Sequence, residues 1–372
     1  MFSCRIEGMT DKFSNSPVPD VVPAELLARL SDAAGALEET GAWPDEQLRW
    51  LAEAGVLRWN LPDAFGDARD SLEMTAAYEE LAAACLTTTF VLSQRNAACV
   101  RLVGSENDEL RQRLLPELAE GRMFTTVGIS HLTTSRQHLA QPAVRVATDG
   151  DELRLSGTVP WVTGAGFADS IVTGGTCEDG TQMLIALPRT AEGVTIAPPP
   201  RLLALNASHT TSVQLDDVRV SREFIVAGPV EGVIGRAAAS GTGSFTTSAL
   251  AIGLSRRALS DLETEAERRP DLMEVVSPLR REFETLRTDM YAAIRGDASV
   301  AAPDTSSAAL RRRANSLVLR MTQAELAASK GAGFVAGHPA ERAVREAMFF
   351  LVWSCPQPVV AAALREFACL TE

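Results

Sequence analysis

The chain has 372 residues, 46% of them hydrophobic, which is enough to form more than one domain around a substantial core. Its formal net charge of −13 disfavours nucleic acid as a partner, because phosphate binding needs clustered Lys and Arg. The sequence contains no apolar run of bilayer-spanning length, so we expect no membrane segment.

The chain is expected to be cytoplasmic. Residues 1–21 contain charged side chains where a signal peptide would be apolar, and they predict a flexible lead. The six cysteines have no paired or metal-type spacing, which indicates reduced thiols. They are Cys4, Cys85, Cys99, Cys177, Cys355 and Cys369.

Helical periodicity dominates residues 22–122. Gly41 is expected to end the first helix, and Pro44 to open the second. Asp70 and Glu73 have the spacing of a capping box, while the β-branched residues 87–89 are expected to break or bend the helix that follows. Ser105 is the expected cap of a helix reaching Glu120.

Short β-type runs separated by turn signals fill residues 123–228 and predict a small antiparallel β domain. A Ser/Thr-rich loop is expected at 130–135. The central segment reads Trp161-Val162-Thr163-Gly164-Ala165, and Ala168-Asp169 follows it. Because Trp161 and Thr163 are two residues apart, a strand would place both on one face.

Helical patterns return over residues 229–372 and predict a helical bundle. The expected helices are Ile234 to Glu267, Val275 to Ile294, Ala308 to Lys330, Pro339 to Met348 and Val359 to Leu370. Gly331 and Gly333 are expected to stop the third of these. The run Arg311 to Arg313 is interpreted as a solvated helix face, with a carrier-protein or phosphopantetheine contact as the alternative. The four histidines lack ligand spacing, so no metal is expected.

This order of helices, β domain and helices, together with the Trp161 to Asp169 segment and the run Leu215 to Val220, resembles the acyl-CoA dehydrogenase family of flavoproteins. The resemblance covers residues 22–370. It implies an α+β fold with an N-terminal helical domain (22–122), a middle antiparallel β domain (123–228) and a C-terminal four-helix-type bundle (229–372).

The resemblance also implies FAD as the cofactor. In the family, the aromatic at Trp161 covers the flavin ring and the hydroxyl at Thr163 bonds near its reactive nitrogen. The alternative is a core Trp with a structural Thr. The residues matched to cofactor contacts are Phe124, Thr126, Val127, Thr133, Thr134, Trp161, Val162, Thr163, Arg269, Gly331 and Gly333. Thr133 and Thr134 fit a surface loop equally well, and Arg269 fits an ordinary solvated helix end.

The family's catalytic base is missing from the matched positions. Relatives use a Glu to remove a proton beside a thioester carbonyl, and Ser354 stands in its place. The second family position for a base matches Gly243 and Ser244, which also lack a carboxylate. An unaided serine is not a base near neutral pH, so His131 is the other candidate acid/base group.

Three functions remain open on the sequence alone. The first is a divergent FAD-dependent oxidoreductase acting on an unusual acyl thioester of CoA or a carrier protein. The second is a flavin-dependent monooxygenase on the same scaffold, and the third is a catalytically inactive subunit. The resemblance implies a homodimer or homotetramer, because Arg269 matches an Arg that reaches the cofactor of a neighbouring subunit in the family.

Overall fold

The computed structural model describes residues 20–133, 141–237, 243–297, 305–355 and 357–370. The chain divides into two compact units. The first unit contains residues 1–40, 70–89 and 244–372, and the second contains residues 41–69 and 90–243. The described elements are α+β, with helices before and after one sheet along the chain.

Thirteen α-helices lie in the described residues. They are α1 (Ala24–Thr40), α2 (Asp45–Glu53), α3 (Ser71–Ala84), α4 (Leu86–Val103), α5 (Asp108–Ala119), α6 (Ser130–Thr133), α7 (Val233–Ala237), α8 (Gly243–Arg268), α9 (Met273–Arg295), α10 (Ser307–Ala328), α11 (Lys330–Gly333), α12 (Pro339–Met348) and α13 (Gln357–Phe367). None of the helices in the described part of the chain is both long and apolar enough to cross a bilayer.

Eight strands form one sheet in the described residues of the second unit. They are β1 (Thr125–Gly128), β2 (Val144–Asp149), β3 (Glu152–Val162), β4 (Ser170–Thr176), β5 (Gln182–Pro188), β6 (Val194–Ile196), β7 (Thr211–Ser221) and β8 (Ile225–Val230). The strand order is β6-β7-β3-β2-β4-β5-β8, and β1 pairs with β4. Because β1 and β2 both run parallel to β4, the sheet is mixed, which corrects the prediction of an antiparallel domain.

The sheet buries both of its faces, which explains why its strands are rich in aliphatic residues. One core joins Val127, Val172 and Leu184 to leucines of α4 and α5. The other contains Val159, Val162 and further strand residues. The strand β1 is therefore held inside the unit, and the residues at its ends are placed by the sheet.

A buried carboxylate organises the helices of the first unit. Glu79 of α3 accepts hydrogen bonds from Arg287 at 2.8 Å and from Tyr291 Oη at 2.8 Å, both from α9. Gly253 lets α8 approach α3, because a Cβ there would lie 2.8 Å from Ala82 Cβ. A buried carboxylate needs this degree of pairing to offset its loss of hydration.

Several local predictions are confirmed or corrected. The capping box is confirmed: Asp70 accepts from the Glu73 amide at 2.8 Å, and Glu73 accepts from the Asp70 amide at 3.1 Å. The predicted break at residues 87–89 is wrong, because Cys85 has an extended backbone and the threonines lie inside α4. The cap of α5 is Asn107, while Ser105 donates to the Val226 carbonyl.

The helical patterns after the sheet are also divided differently. The pattern from Ile234 gives α7 and α8 as separate helices on either side of undescribed residues. The third helix ends at Ala328, because Lys330 has a φ of 54°, and residues 330–333 form a short helix where a stop was predicted. The flexible lead at 1–21 lies outside the described residues, apart from its last two positions.

Candidate functional site

Strand β1 carries two of the predicted cofactor residues, Thr126 and Val127, and aligns them in register with β4. Thr125 was not predicted as a site residue; its Oγ1 lies 3.0 Å from Ser170 Oγ. Thr126 is fully buried, and its hydroxyl has no hydrogen-bond partner among the described residues. A buried hydroxyl without a partner is costly, so Thr126 Oγ1 marks a place for a polar atom from outside the chain. Val127 packs into the core beneath it.

Asp169 explains why the central segment ends in an acidic residue. Its carboxylate accepts from the Phe124 amide at 2.8 Å, and its own amide donates to the Phe124 carbonyl at 2.8 Å. These two bonds fix the entry of β1 against the start of β4. Phe124 is therefore held by the same segment that contains Trp161 and Thr163.

The prediction that Trp161 and Thr163 share one strand face is wrong, because one side chain is exposed and the other is buried. The Trp161 side chain is 52% exposed, Val162 is fully buried, and Thr163 is buried just beyond the end of β3. The pairing of β3 with β7 shifts register between Val159 and Val162, which breaks the simple alternation. Thr163 Oγ1 lies 3.0 Å from Thr210 Oγ1, so its hydroxyl belongs to a buried polar chain.

Gly164 is required by a close approach of an aromatic ring. Its φ is +66°, and a Cβ there would lie 2.7 Å from Trp43 Cζ3 and closer still to Cη2. Trp43 in turn stacks on Phe167 with ring centroids 4.6 Å apart, and meets Phe124 edge-on at 5.3 Å. These rings line one side of a cavity of about 510 Å³ within the second unit, large enough for a small organic ligand.

The predicted Ser/Thr-rich loop begins with the short helix α6 instead. His131 is buried, and its Nε2 lies 2.9 Å from the Gly174 carbonyl, so Nε2 carries the proton and donates it. Proton transfer by this residue would therefore have to use Nδ1. Thr133 is exposed and its hydroxyl donates to the Ser130 carbonyl, while Thr134 lies outside the described residues.

Arg269 and the predicted glycine turn lie together in the first unit. Arg269 Nη1 donates to the Ala328 carbonyl at 2.7 Å, just before α11. It also pairs with Glu265 at 3.4 Å. Gly333 is buried, and a Cβ there would lie 2.6 Å from Ser329 Cβ, whereas Gly331 is exposed and has open space around it. Packing thus explains Gly333 and leaves Gly331 without a structural reason.

Ser354 follows the 3-10 helix Phe349–Leu351 and has the left-handed φ of 48°. Its side chain is exposed. The surrounding turn is held by Arg311, whose Nη2 donates to the Trp353 carbonyl at 2.9 Å, and by Asn315, whose Nδ2 donates to the Phe350 carbonyl at 2.8 Å. The turn is thus bonded to the cationic side chain of Arg311. Its residue Ser354 stands where the family has a carboxylate.

The second family position for the base is no richer in acid. Gly243 begins α8, and Asp261 is the first acidic residue of that helix. The side chain of Ser244 is not described.

A carboxylate with a strongly shifted pKa lies elsewhere in the first unit. Burial raises the pKa of Glu325 to about 8, an effect that Asp261 reinforces and Arg257 opposes. Arg257 also faces Glu346 at 3.8 Å, so one buried guanidinium is shared by several acids. A shifted pKa is typical of functional groups and also of buried ionic networks.

The interpretation of Arg311 to Arg313 as a solvated face is wrong. Arg311 is only 4% exposed, and Arg313 pairs with Asp289 at 2.7 Å. Sequence reasoning also missed Trp43, whose role depends on a contact distant in the chain. For Arg311 a signal existed: it lies four residues before the buried Asn315, on the inward stripe of α10.

Comparisons with known proteins agree with this fold. The family profile described as "Acyl-CoA dehydrogenase, N-terminal domain" matches residues 20–122. The chain is 23% identical to a probable acyl-CoA dehydrogenase, FadE25, of Mycobacterium tuberculosis, over 84% of this chain and 85% of that one. It is also 23% identical to the mitochondrial short-chain specific acyl-CoA dehydrogenase of Bos taurus, over 84% and 80% of the two chains.

A solved structure extends the likeness to the whole fold. The glutaryl-CoA dehydrogenase of Mycobacterium smegmatis, determined in complex with FADH2, superposes with a TM-score of 0.79 at 18% identity and covers 92% of each chain. Helices, sheet and helices follow the same order as the resemblance implied. The profile match over residues 20–122 and these relatives support membership of the acyl-CoA dehydrogenase family.

Proposed function

We propose that this protein is an FAD-dependent oxidoreductase acting on an acyl thioester other than a simple straight-chain acyl-CoA. The observation that carries the proposal is the turn at Ser354. It lacks a carboxylate at the family's base position, and a buried guanidinium from Arg311 holds it. The relatives named as acyl-CoA dehydrogenases support an acyl thioester of CoA or of a carrier protein as the substrate class.

The residues of the second unit fit a flavin. Trp161 presents a half-exposed aromatic face at the end of β3, suited to covering a planar ring. Thr126 offers a buried hydroxyl that needs a polar partner. We propose that these residues bind the flavin ring together with Phe124, Val127, Val162 and Thr163, and that FAD when bound supplies the acceptor for a hydride from the substrate.

The cofactor's phosphates and adenosine are assigned to other residues. We propose Arg269 and the turn containing Gly331 and Gly333, because Gly331 has open space around it and Arg269 lies at the same helix end. Thr133 is exposed and fits a phosphate contact as well as it fits a surface loop. In the family this Arg acts across subunits, so we also propose a homodimer or homotetramer.

The proton chemistry of this site differs from that of ordinary family dehydrogenation. Removing a proton beside a thioester carbonyl requires a base within hydrogen-bond reach whose pKa suits the task. A serine hydroxyl is not such a base near neutral pH, and the bond from His131 Nε2 to the Gly174 carbonyl leaves only Nδ1 of that ring for proton transfer. A substrate that needs no strong carboxylate base, or that brings a more acidic proton, is therefore expected.

The proposal is tested first by the visible absorbance of the purified protein and by its anaerobic bleaching with candidate thioesters. Flavin absorbance that substrate alone bleaches supports the proposal. A colourless protein that takes up no FAD contradicts it and favours an inactive subunit, and bleaching that requires a separate flavin reductase favours a monooxygenase.

The flavin placement is tested by Trp161→Ala, with Trp161→Phe as the matched control. The Ala variant is expected to lose FAD on dialysis, because a large aromatic contact is removed, and the Phe variant is expected to retain most of it. Equal retention by both variants and the parent would show that the ring lies elsewhere.

A further inference from the structure

The turn after the 3-10 helix Phe349–Leu351 contains a thiol in an unusual setting. Cys355 Sγ lies 3.1 Å from the Phe350 carbonyl and 3.3 Å from the Trp353 carbonyl. Arg311 Nη2 and Asn315 Nδ2 approach the same sulfur at 4.0 Å and 3.9 Å. A thiol has one hydrogen, so it can satisfy one carbonyl only, while two N–H donors point at its sulfur.

The guanidinium beside this sulfur has no anionic hydrogen-bond or ion-pair partner in the described part of the chain. Arg311 is 4% exposed, and its Nε and Nη1 have no hydrogen-bond partner among the described residues. The rings of Phe350 and Trp353 lie 5.7 Å and 5.9 Å from its Cζ and supply part of the missing stabilisation. Burial lowers the pKa of Arg311 to about 10, and Cys355 is the ionisable group that opposes this effect.

The other described cysteines lack these features. Cys85 and Cys99 are fully buried, and burial raises the pKa of both thiols, which makes them unreactive. Cys177 is half-buried and Cys369 is exposed, and the structure shows no bond from either sulfur to a basic side chain within its described residues. Only in Cys355, among the described cysteines, do partial exposure and a neighbouring cation occur together.

We propose that Cys355 is a reactive thiol and a site of reversible oxidation by hydrogen peroxide, with Arg311 and Asn315 stabilising its oxidised form. The thiolate sulfur attacks one peroxide oxygen, so an S–O bond forms as the O–O bond breaks. Sulfur loses two electrons, the peroxide gains them, and the added oxygen keeps its hydrogen, which gives a sulfenic acid. The departing hydroxide takes up the proton that the thiol released on ionising, so the other product is water. The new oxygen can accept hydrogen bonds from Arg311 Nη2 and Asn315 Nδ2, the two donors beside the sulfur.

Oxidation would change the turn that holds Ser354. The S–H bond to the Phe350 or Trp353 carbonyl is lost when the sulfur carries oxygen, and Ser354 already occupies a left-handed backbone. A dithiol reductant restores the thiol, releasing water as the reductant forms its own disulfide. The turn at the family's base position would thus respond reversibly to peroxide.

The test is site-resolved labelling of the full-length protein at neutral pH. Iodoacetamide adducts are quantified over time for each cysteine by peptide mass spectrometry. Cys355 is expected to react at least about tenfold faster than Cys369, although Cys369 is the more exposed, because Arg311 and Asn315 donate toward the Cys355 sulfur. After hydrogen peroxide treatment, a dimedone adduct is expected on Cys355 and is expected to disappear if dithiothreitol is added first.

Two variants separate the role of Arg311 from simple exposure. Arg311→Met keeps the length of the side chain and removes the charge, so the Cys355 rate is expected to fall roughly fivefold or more while the Cys369 rate stays constant. Asn315→Leu is expected to act in the same direction. Labelling of the buried Cys85 in a variant would show that the variant has unfolded. In that case the proposal is decided by the rates of Cys355 and Cys369 in the unaltered protein. Cys355 reacting no faster than Cys369 there, or forming no dimedone adduct, overturns the proposal.

Discussion

Gly164 gives the sharpest test of how the central segment is built. Gly164→Ala forces an L residue to keep a φ of +66°, which costs about 1–2 kcal/mol. The added methyl also meets the Trp43 ring, with Cζ3 2.7 Å away, and overpacking of this kind typically costs about 1–3 kcal/mol. Together these effects predict a loss of about 2–5 kcal/mol in the free energy of unfolding.

The same segment supplies a matched control. Gly166 has no positive φ, and a Cβ there would meet nothing within 4 Å, so Gly166→Ala is expected to change stability by less than about 1 kcal/mol. A second background separates the two costs. Trp43→Phe removes the ring atoms nearest Gly164, so adding Gly164→Ala to it is expected to cost only the backbone share, about 1–2 kcal/mol.

The assay is urea unfolding followed by far-ultraviolet circular dichroism, with all variants measured under one set of conditions. Thermal unfolding gives a second reading, with a fall in Tm of roughly 2–4 °C for each kcal/mol in a unit of this size. Equal stability of Gly164→Ala and the parent would refute the close approach of Trp43. An equal loss in Gly166→Ala, or no relief from Trp43→Phe, would refute the assigned cause.

Two further predictions concern the first unit and the assembly. The pKa of Glu325 is raised to about 8 in the folded protein, against 4.5 when unfolded, so its contribution to stability is complete below pH 4.5 and is lost as pH rises through 8. Glu325→Gln should therefore flatten the fall in Tm over this pH range. An unchanged pH profile of Tm in this variant would exclude Glu325 as the cause. The homo-oligomer proposed from the Arg269 match should appear by light scattering at micromolar concentration, and a monomer there would count against it.

The parts of the fold that could be predicted from sequence were those encoded by local signals. The capping box at Asp70 and Glu73 depends on residues three apart, and the structure reproduces it. The helix break at Cys85 had no comparable local signal. The threonines at 87–89, which suggested a break, lie instead inside a buried helix, where tertiary packing overrides intrinsic propensity. Predictions failed where a distant contact decides the outcome.

The candidate site shows the same division. The segment from Trp161 to Asp169 was found from its residues, and Asp169 has a clear structural role in fixing Phe124. The opposite burial of Trp161 and Thr163 depends on a register shift against β7, which the sequence of β3 does not encode. Arg311 was assigned to solvent because three arginines are adjacent, yet its partners lie about forty residues later in the chain.

The absence of the family's base is the central claim, and an anaerobic dye-reduction assay with butyryl-, octanoyl- and palmitoyl-CoA tests it most directly. The unaltered protein is expected to show no robust turnover of these substrates, since a missing general base costs typically about 10²–10⁴-fold. Ser354→Glu is expected to gain turnover, while Ser354→Gln, which shares its size and the left-handed backbone, is not.

The same dye-reduction assay can also contradict the account. Robust turnover of these substrates by the unaltered protein would contradict the account. So would a failure of Ser354→Glu to raise turnover by about tenfold, because a general base supplied at that position should contribute at least this much. Turnover that appears only with Glu at this position, in a protein that binds FAD, is the result that the account predicts.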